Sequence, residues 1–393
     1  MPPLDNAIAA MIPDLTAWRR TLHASPELGY EERATAAFVA ERLRAFGLDV
    51  VAEGIGGTGV VGVLHGAKGP RGEARTVMLR ADMDALPIEE ATGLPYASTR
   101  PGVMHACGHD GHTTMLLGAA KRLAETRNFD GTAVFVFQPA EEGGAGAKAM
   151  LDDGLMDRFP ARAVYGMHND PGRPVGCFAI RPGPALALAD EFHIRLTGKG
   201  GHAAMPEHAH DPIVAGAALV QALQSIVSRR IEPTQPAVLS VTEFHAGSTH
   251  NVIPETARLS GTTRAFDLGV HARIKAEIAK KCAQIGAAFD VAISYEPSAE
   301  PYPPTINDPA ETDFVCGVIE SLAGPQALDR APPMVMGAED FAYLAQARPG
   351  AFVFIGNGDS APLHHPAYDF DDAAAPWGVA LFCRLVETAL PRE

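Results

Sequence analysis

Four short apolar runs in this chain each lead into a side chain able to hold a metal ion. Val77-Met78-Leu79 reads as a buried strand and is followed by Asp82 and Asp84. Ala133 to Phe137 reads as a second and is followed by Glu141-Glu142. Ala163-Val164-Tyr165 precedes His168, and Phe352 to Ile355 precedes His364. Runs of this length and composition are strands rather than helices. Strands that each end in a potential ligand point to the carboxyl edge of an α/β sheet, where such folds place their sites.

The segments between these runs carry helical spacing. Ile8 to Leu22 is helical in pattern with Pro13 interrupting it, and Ala34 to Phe46 is stopped by Gly47. Thr58 to Leu64 is a strand, and His112 to Glu125 places Met115, Leu116, Ala119, Ala120 and Leu123 on one helical face. Strand–helix alternation predicts a mostly parallel sheet covered on both faces.

The pattern changes at the breaker cluster Arg181-Pro-Gly-Pro184. Beyond it come a strand (Glu191 to Leu196), a helix (Pro212 to Ser228), two strands that pair antiparallel (Ala237 to Phe244, Ala257 to Ala265), a helix (Ala272 to Ala287) and a strand (Val291 to Tyr295). This β-α-β-β-α-β order is that of a ferredoxin-like α+β sandwich. The reading is therefore a catalytic domain in two segments, 1–184 and 297–393, with a lid domain at 185–296 inserted between them. Helix Thr312 to Ala323 and terminal helix Trp377 to Leu390 complete the second segment.

The 393 residues suffice for two such domains, and the formal net charge of −15 argues against nucleic acid and anionic membranes as partners. No apolar run is long enough for a membrane helix, and the N-terminal stretch lacks the basic start and apolar core of a signal peptide. Five cysteines without a pairing pattern predict free thiols and a cytoplasmic location.

The chemistry concentrates in His105-Ala-Cys107-Gly-His109-Asp-Gly-His112. Cys, His and Glu are the ligands of zinc-like ions, and a glycine turn before a helix aims Cys107 and His109 at one region. A thiolate between two cations is strongly stabilised, so Cys107 can bridge a pair of ions; Glu142 and His168 would complete one, His109 and His364 the other, with the division left open. If one carboxylate of Glu141-Glu142 binds metal, its neighbour can take the proton of an attacking water. That is machinery for hydrolysing an amide.

Several motifs, in order along nearly the whole chain, carry a family resemblance. They are Arg80-Ala-Asp-Met-Asp-Ala-Leu-Pro87, His105 to His112, Gln138-Pro-Ala-Glu-Glu142, Gly166-Met-His168, Gly198-Lys-Gly-Gly-His202, Asn251-Val-Ile-Pro254, Gly337-Ala-Glu-Asp-Phe341 and Leu363-His-His-Pro366, opened by His23-Ala-Ser-Pro-Glu-Leu28. Together they resemble the metal-dependent amidohydrolases that include hippurate hydrolase, bacterial aminoacylases and auxin-conjugate hydrolases. The resemblance implies a metallopeptidase catalytic domain with a ferredoxin-like lid. It implies two divalent ions per subunit (zinc first; manganese, cobalt or nickel as competitors) held by Cys107, His109, Glu142, His168 and His364. His365 is the other candidate in that histidine pair. It further implies Glu141 as general base, Asp84 orienting a metal-ligating histidine, and His202 stabilising the oxyanion, in some relatives across a dimer. Asn251 and Arg264 would hold the substrate's polar backbone or carboxylate. Asp82 stands where the wider superfamily has a histidine, and Glu207 where this family commonly has one. The implied activity is hydrolysis of N-acyl amino acids to acid and amino acid by a homodimer joined through the lid. A dipeptidase or small-peptide carboxypeptidase and a catalytically silent ligand-binding homologue are the alternatives.

Overall fold

The computed structural model describes residues 4–298 and 300–392. They form two compact units. The first comprises the described residues of Met1–Ala185, Ile306–Pro333 and Asp340–Glu393; the second is Leu186–Thr305 with Met334–Glu339.

The first unit is built on an eight-stranded mixed sheet. Its order is Val50–Ile55, Gly59–His65, Thr132–Gln138, Thr76–Asp82, Ala163–Asp170, Gly350–Gly356, Phe178–Ala179 and Leu328–Asp329. The four central strands, from Thr132–Gln138 to Gly350–Gly356, run parallel. The outer strands Gly59–His65 and Val50–Ile55 are antiparallel to their neighbours. Every residue of Thr76–Asp82 and Thr132–Gln138 is buried, as expected for strands covered on both faces. Leu79, Phe135 and Tyr165 meet Val39, Leu43, Leu116 and Leu385 from the helices in one core. Each such side chain, fully buried, contributes about 1.5–3 kcal/mol.

Pro13 begins a helix instead of interrupting one. Asn6–Ala9 is a separate turn, and Ile12–Ala24 carries Pro13 in its first turn, where no N–H is needed. The helix read from His112 begins at His109 and ends at Thr126. Its N-cap is Gly108 at φ 92°, and an added Cβ there would lie 2.2 Å from Asn169 Oδ1 and 2.6 Å from the Tyr368 hydroxyl. Only glycine fits that approach. His168 does not follow its strand but lies inside it, because Ala163–Asp170 stays paired with Gly350–Gly356 through Phe354↔His168 and beyond.

In the second unit the strands Leu188–Thr197, Ala237–Ala246, Thr256–Ala265 and Ala292–Pro297 form an antiparallel sheet. Its spatial order is Ala237–Ala246, Thr256–Ala265, Leu188–Thr197, Ala292–Pro297. With helices Pro212–Arg230 and Leu268–Phe289 this is the ferredoxin-like sandwich. Leu188–Thr197 alternates buried and open positions, and Leu219, Leu223, Ile274 and Ile278 pack with Ile194, Leu196 and Leu259. Asp211 and Asp267 cap the two helices through Ile213 N–H and Val270 N–H. The return segment up to Thr305 belongs to this unit, because Ala189 and Tyr302 exchange backbone hydrogen bonds. So does Met334–Glu339, whose Val335 and Gly337 carbonyls accept from Ala187 N–H. No helix among the described residues is long and apolar enough to cross a membrane.

Candidate metal centre

The parallel strands of the first unit end at one cluster. Cys107 Sγ lies 3.3 Å from His168 Nε2. His109 Nε2 lies 3.9 Å from Glu142 Oε1, and His364 Nε2 lies 3.2 Å from the same oxygen. Cys107 forms potential ligand trios with His109 and His168 on one side and with Glu142 and His364 on the other. His109, Glu141 and Glu142 form a third. His109 is fully buried, whereas the His364 side chain is 52% exposed on a loop where the backbone takes φ 64°.

The hydrogen bonds leave lone pairs converging on this space. His168 Nδ1–H donates to its neighbour Asn169's carbonyl at 2.8 Å, which puts the lone pair on Nε2, toward Cys107. His109 Nδ1 is held at 3.1 Å by Asp84 Oδ1. Its Nε2 is buried with no hydrogen-bond partner among the described residues. Buried polar atoms without partners are costly unless something else satisfies them. Donors of thiol, imidazole and carboxylate type, oriented by second groups, satisfy a divalent cation. The residues present therefore fit a metal pair.

The electrostatics agree. Burial raises the Cys107 thiol well above its ordinary value, with Glu142 and Glu141 adding to it against His109. Burial also pushes His168 well below its ordinary value, keeping its imidazole neutral. Burial raises Glu142, but His364 and His109 outweigh it and leave the carboxyl below its usual range. Burial lowers His109, but Asp82 and Cys107 outweigh it and raise the imidazole well above its ordinary value. A cation bound there would take the place of protons on the thiol and imidazole.

Glu141 and Glu142 diverge although adjacent. Ala140 takes the left-handed conformation (φ 48°, ψ 48°), a strain of about 1–2 kcal/mol for a residue with a Cβ. Glu142 and Gly143 then have non-helical torsions inside the short segment Glu141–Gly144. Glu142 turns to His364, while Glu141 Oε1 accepts from Asp340 N–H at 3.3 Å. Asp84 supports both sides of the cluster, since its Oδ2 accepts Glu142 N–H at 2.9 Å.

A buried network behind the cluster was not assigned a role by motif. His112 Nδ1 meets Asp82 Oδ1 at 2.7 Å, and Arg80 Nη1 donates to Asp82 Oδ2 at 2.8 Å. Burial raises Asp82, but His109, Arg80 and His112 outweigh it and hold the carboxyl well below its ordinary value. Arg80 also reaches Asp340 and Gln138, and Asn169 links His112 to Tyr368. The pairing of Arg80 and Gln138 with a distant Asp340 needs the fold; only the polar residues inside apolar strands signal it.

The remaining predicted residues lie in the second unit. His202 is exposed on Gly201–His202, which pairs with Val252–Ile253 beside Asn251. Its Nδ1 accepts from Ala204 N–H at 3.1 Å. Arg264 is half-buried, pairs with Ala189, and donates to the Thr263 carbonyl at 2.9 Å. His202 lies in a separate two-stranded pairing that follows the Thr197–Thr256 end in sequence, while Arg264 sits near the opposite end of that sheet. Eight strand residues at ~3.3 Å put Arg264 roughly 25 Å along the strand from the Thr256 end that leads toward Asn251 and His202. The fold brings His202 and Asn251 together and leaves Arg264 apart from them.

A covered α/β sheet with a Cys/His/carboxylate cluster at the strands' carboxyl ends defines a metallohydrolase. The chain belongs to peptidase family M20/M25/M40, whose family model matches residues 78–388. It is 41% identical over 367 residues to hippurate hydrolase of Campylobacter jejuni, covering 93% of this chain and 94% of that protein. It is 43% identical over 357 residues to N-acetyl-L-cysteine deacetylase of Bacillus subtilis, covering 91% and 83%. A solved dinuclear metal-binding M20 peptidase from Bacillus subtilis superposes with a TM-score of 0.84 at 32% identity, covering 97% of this chain and 99% of that one.

Proposed function

We propose that the protein hydrolyses the amide bond of N-acyl amino acids to a carboxylic acid and a free amino acid. The protein is an amidohydrolase of its family. The observation that carries the substrate class is the cluster of Cys107, His109, Glu142, His168 and His364 with Glu141 beside it, in a chain whose relatives are a hippurate hydrolase and an N-acetyl-cysteine deacetylase.

Those five residues would hold two divalent ions, with Cys107 shared. The thiol favours zinc; manganese, cobalt and nickel are its competitors. Bound there, the ions supply Lewis acidity toward the amide carbonyl and make a water acidic near neutral pH. Glu141 takes the proton of the attacking water at a carboxylate oxygen and delivers it to the departing nitrogen. The Asp340 N–H aims that carboxylate. Asp84 holds His109 by Nδ1 so that Nε2 faces the ions. His202 donates to the developing oxyanion, and Asn251 and Arg264 bind the amino acid's polar groups. The separation of His202 from Arg264 supports a homodimer in which one subunit's His202 completes the other's site. Five free cysteines support a cytoplasmic setting.

Reconstituted enzyme screened on N-acetyl, N-benzoyl and longer acyl amino acids tests this reading. Faster turnover of acyl amino acids than of dipeptides is expected. Cleavage of dipeptides alone would make the protein a dipeptidase, and no cleavage of either would make it a silent homologue.

A further inference from the structure

One short segment grips the Glu141 turn from both ends, and no role has yet been given to it. Glu32 Oε1 accepts Ala140 N–H at 2.8 Å, immediately before Glu141. The Tyr30 hydroxyl donates to the Gly144 carbonyl at 2.6 Å, immediately after the Glu141-Glu142-Gly143 stretch. Between these two residues' contacts, the backbones touch: a Cβ on Gly29 would lie 3.0 Å from Ala140 Cβ. The Tyr30 ring fills the space over Gly57 and Gly144, where added Cβ atoms would come within 3.2 Å and 3.1 Å of it.

The mount is rigid. Glu32 is the N-cap residue of helix Arg33–Ala45, is fully buried, and its second carboxylate oxygen takes the Thr58 hydroxyl. Upstream, Ala85 N–H donates to the Glu27 carbonyl at 2.8 Å, and Leu28 pairs with Ala85, next to Asp84. Residues 27–32 thus bind the Asp84 strand end and the Glu141 turn to each other. The Ala140 left-handed conformation persists only while its surroundings hold it.

We propose that Tyr30 and Glu32 are positioning residues that fix the Ala140–Gly144 turn and thereby the carboxylate of Glu141. This rests on the reading of Glu141 as general base. A base displaced by a fraction of an ångström from its proton loses rate without losing substrate affinity. The contacts need an acceptor at Glu32 and a hydroxyl at Tyr30, not a charge.

The test compares Glu32→Ala, Glu32→Gln and Tyr30→Phe in the metal-loaded enzyme and follows amide hydrogen exchange across residues 140–147 in metal-free protein. Glu32→Ala is expected to lower kcat about 10- to 100-fold and Tyr30→Phe about 3- to 10-fold, with KM within about twofold, in enzyme assayed at saturating metal because the same turn carries Glu142. Glu32→Gln keeps an acceptor oxygen and should stay near wild type. Exchange at the turn should quicken in Glu32→Ala and not in Glu32→Gln. In a Glu141→Gln background, Glu32→Ala should add no further loss. A further loss there, equal losses in Glu32→Ala and Glu32→Gln, or wild-type kcat in Glu32→Ala would overturn the proposal. If Glu141→Gln itself keeps wild-type kcat, the base reading fails on its own, and the exchange rates alone decide whether the segment holds the turn. Should Glu32→Ala not fold, Tyr30→Phe carries the same comparison: wild-type kcat and wild-type exchange in that variant would overturn the proposal.

Discussion

The two units hold their candidate functional residues in opposite ways. In the first, Asp82, Asp84, His109, His112 and Asn169 are buried in or beside strands covered on both faces, and they hydrogen-bond to distant parts of the chain. In the second, strand Leu188–Thr197 has one open face, and His202 and Asn251 are exposed with their side chains hydrogen-bonded to near neighbours. A group fixed by buried partners is oriented before substrate arrives; an exposed group held by local turns gains its role from whatever it later meets. The first unit is therefore read as the pre-organised centre and the second as the source of substrate contacts.

Removing the centre should have the largest effect. A strong chelator is expected to abolish amide hydrolysis, a divalent ion to restore it, and Cys107→Ala to lose metal and activity together, with elemental analysis beside the rate assay. Activity in demonstrably metal-free protein would break the comparison at its root.

A group from the second unit should matter less. His202→Ala should lower kcat about 10- to 100-fold while changing KM little, if its proposed oxyanion contact forms in the transition state. If His202 acts across a dimer, mixing His202→Ala with Glu141→Gln subunits should recover part of the activity, because one site then has both groups. Mixed dimers without recovery would confine His202 to its own subunit or exclude it from catalysis.

A further effect concerns stability rather than rate, at the buried His23–Asp110 pair of the first unit. His23 is held by Asp110 at 2.9 Å and by Glu90 at 3.3 Å. Burial lowers its pKa, but the hydrogen bonds to Asp110 and Glu90 outweigh that and push it up to about 9. The unfolded value is about 6.5, so the native state binds the proton more tightly. The stabilisation is fully present below about pH 6.5 and is lost as pH rises through about 9. Denaturation of metal-free wild type and His23→Gln should differ by roughly 3 kcal/mol at most near pH 6, and the gap should shrink toward pH 10. A constant gap would show that packing, not the proton, stabilises this pair.

Much of the architecture was legible because apolar runs and breakers carry it. The strand cores at Val77, Ala133 and Phe352 and the β-α-β-β-α-β order after Pro184 emerge from local pattern alone. The extension of Ala163–Asp170 through His168 did not, because Gly-Met-His-Asn has no strand pattern; pairing with Gly350–Gly356 imposes it. Cys107, His109 and Glu142 could be named from their motifs, since glycine turns and strand ends mark them. The supports of those residues could not. Asp82 with His112, Glu32 with Ala140 and Glu141 with Asp340 are long-range pairs that only the packed sheet creates. The separation of Arg264 from His202 likewise depends on strand register, which single-sequence pattern does not set.

The division of labour between the two adjacent carboxylates is the most direct test of the centre. Metal content and kcat measured together for Glu141→Gln and Glu142→Gln decide it. The structure predicts that Glu141→Gln keeps its metal and loses about a hundredfold to ten-thousandfold in kcat, the range of a lost general base. Glu142→Gln should lose metal, and its rate should recover only as metal is raised. The reverse pattern, with metal lost from Glu141→Gln and retained in a slow Glu142→Gln, would contradict the assignment of both residues.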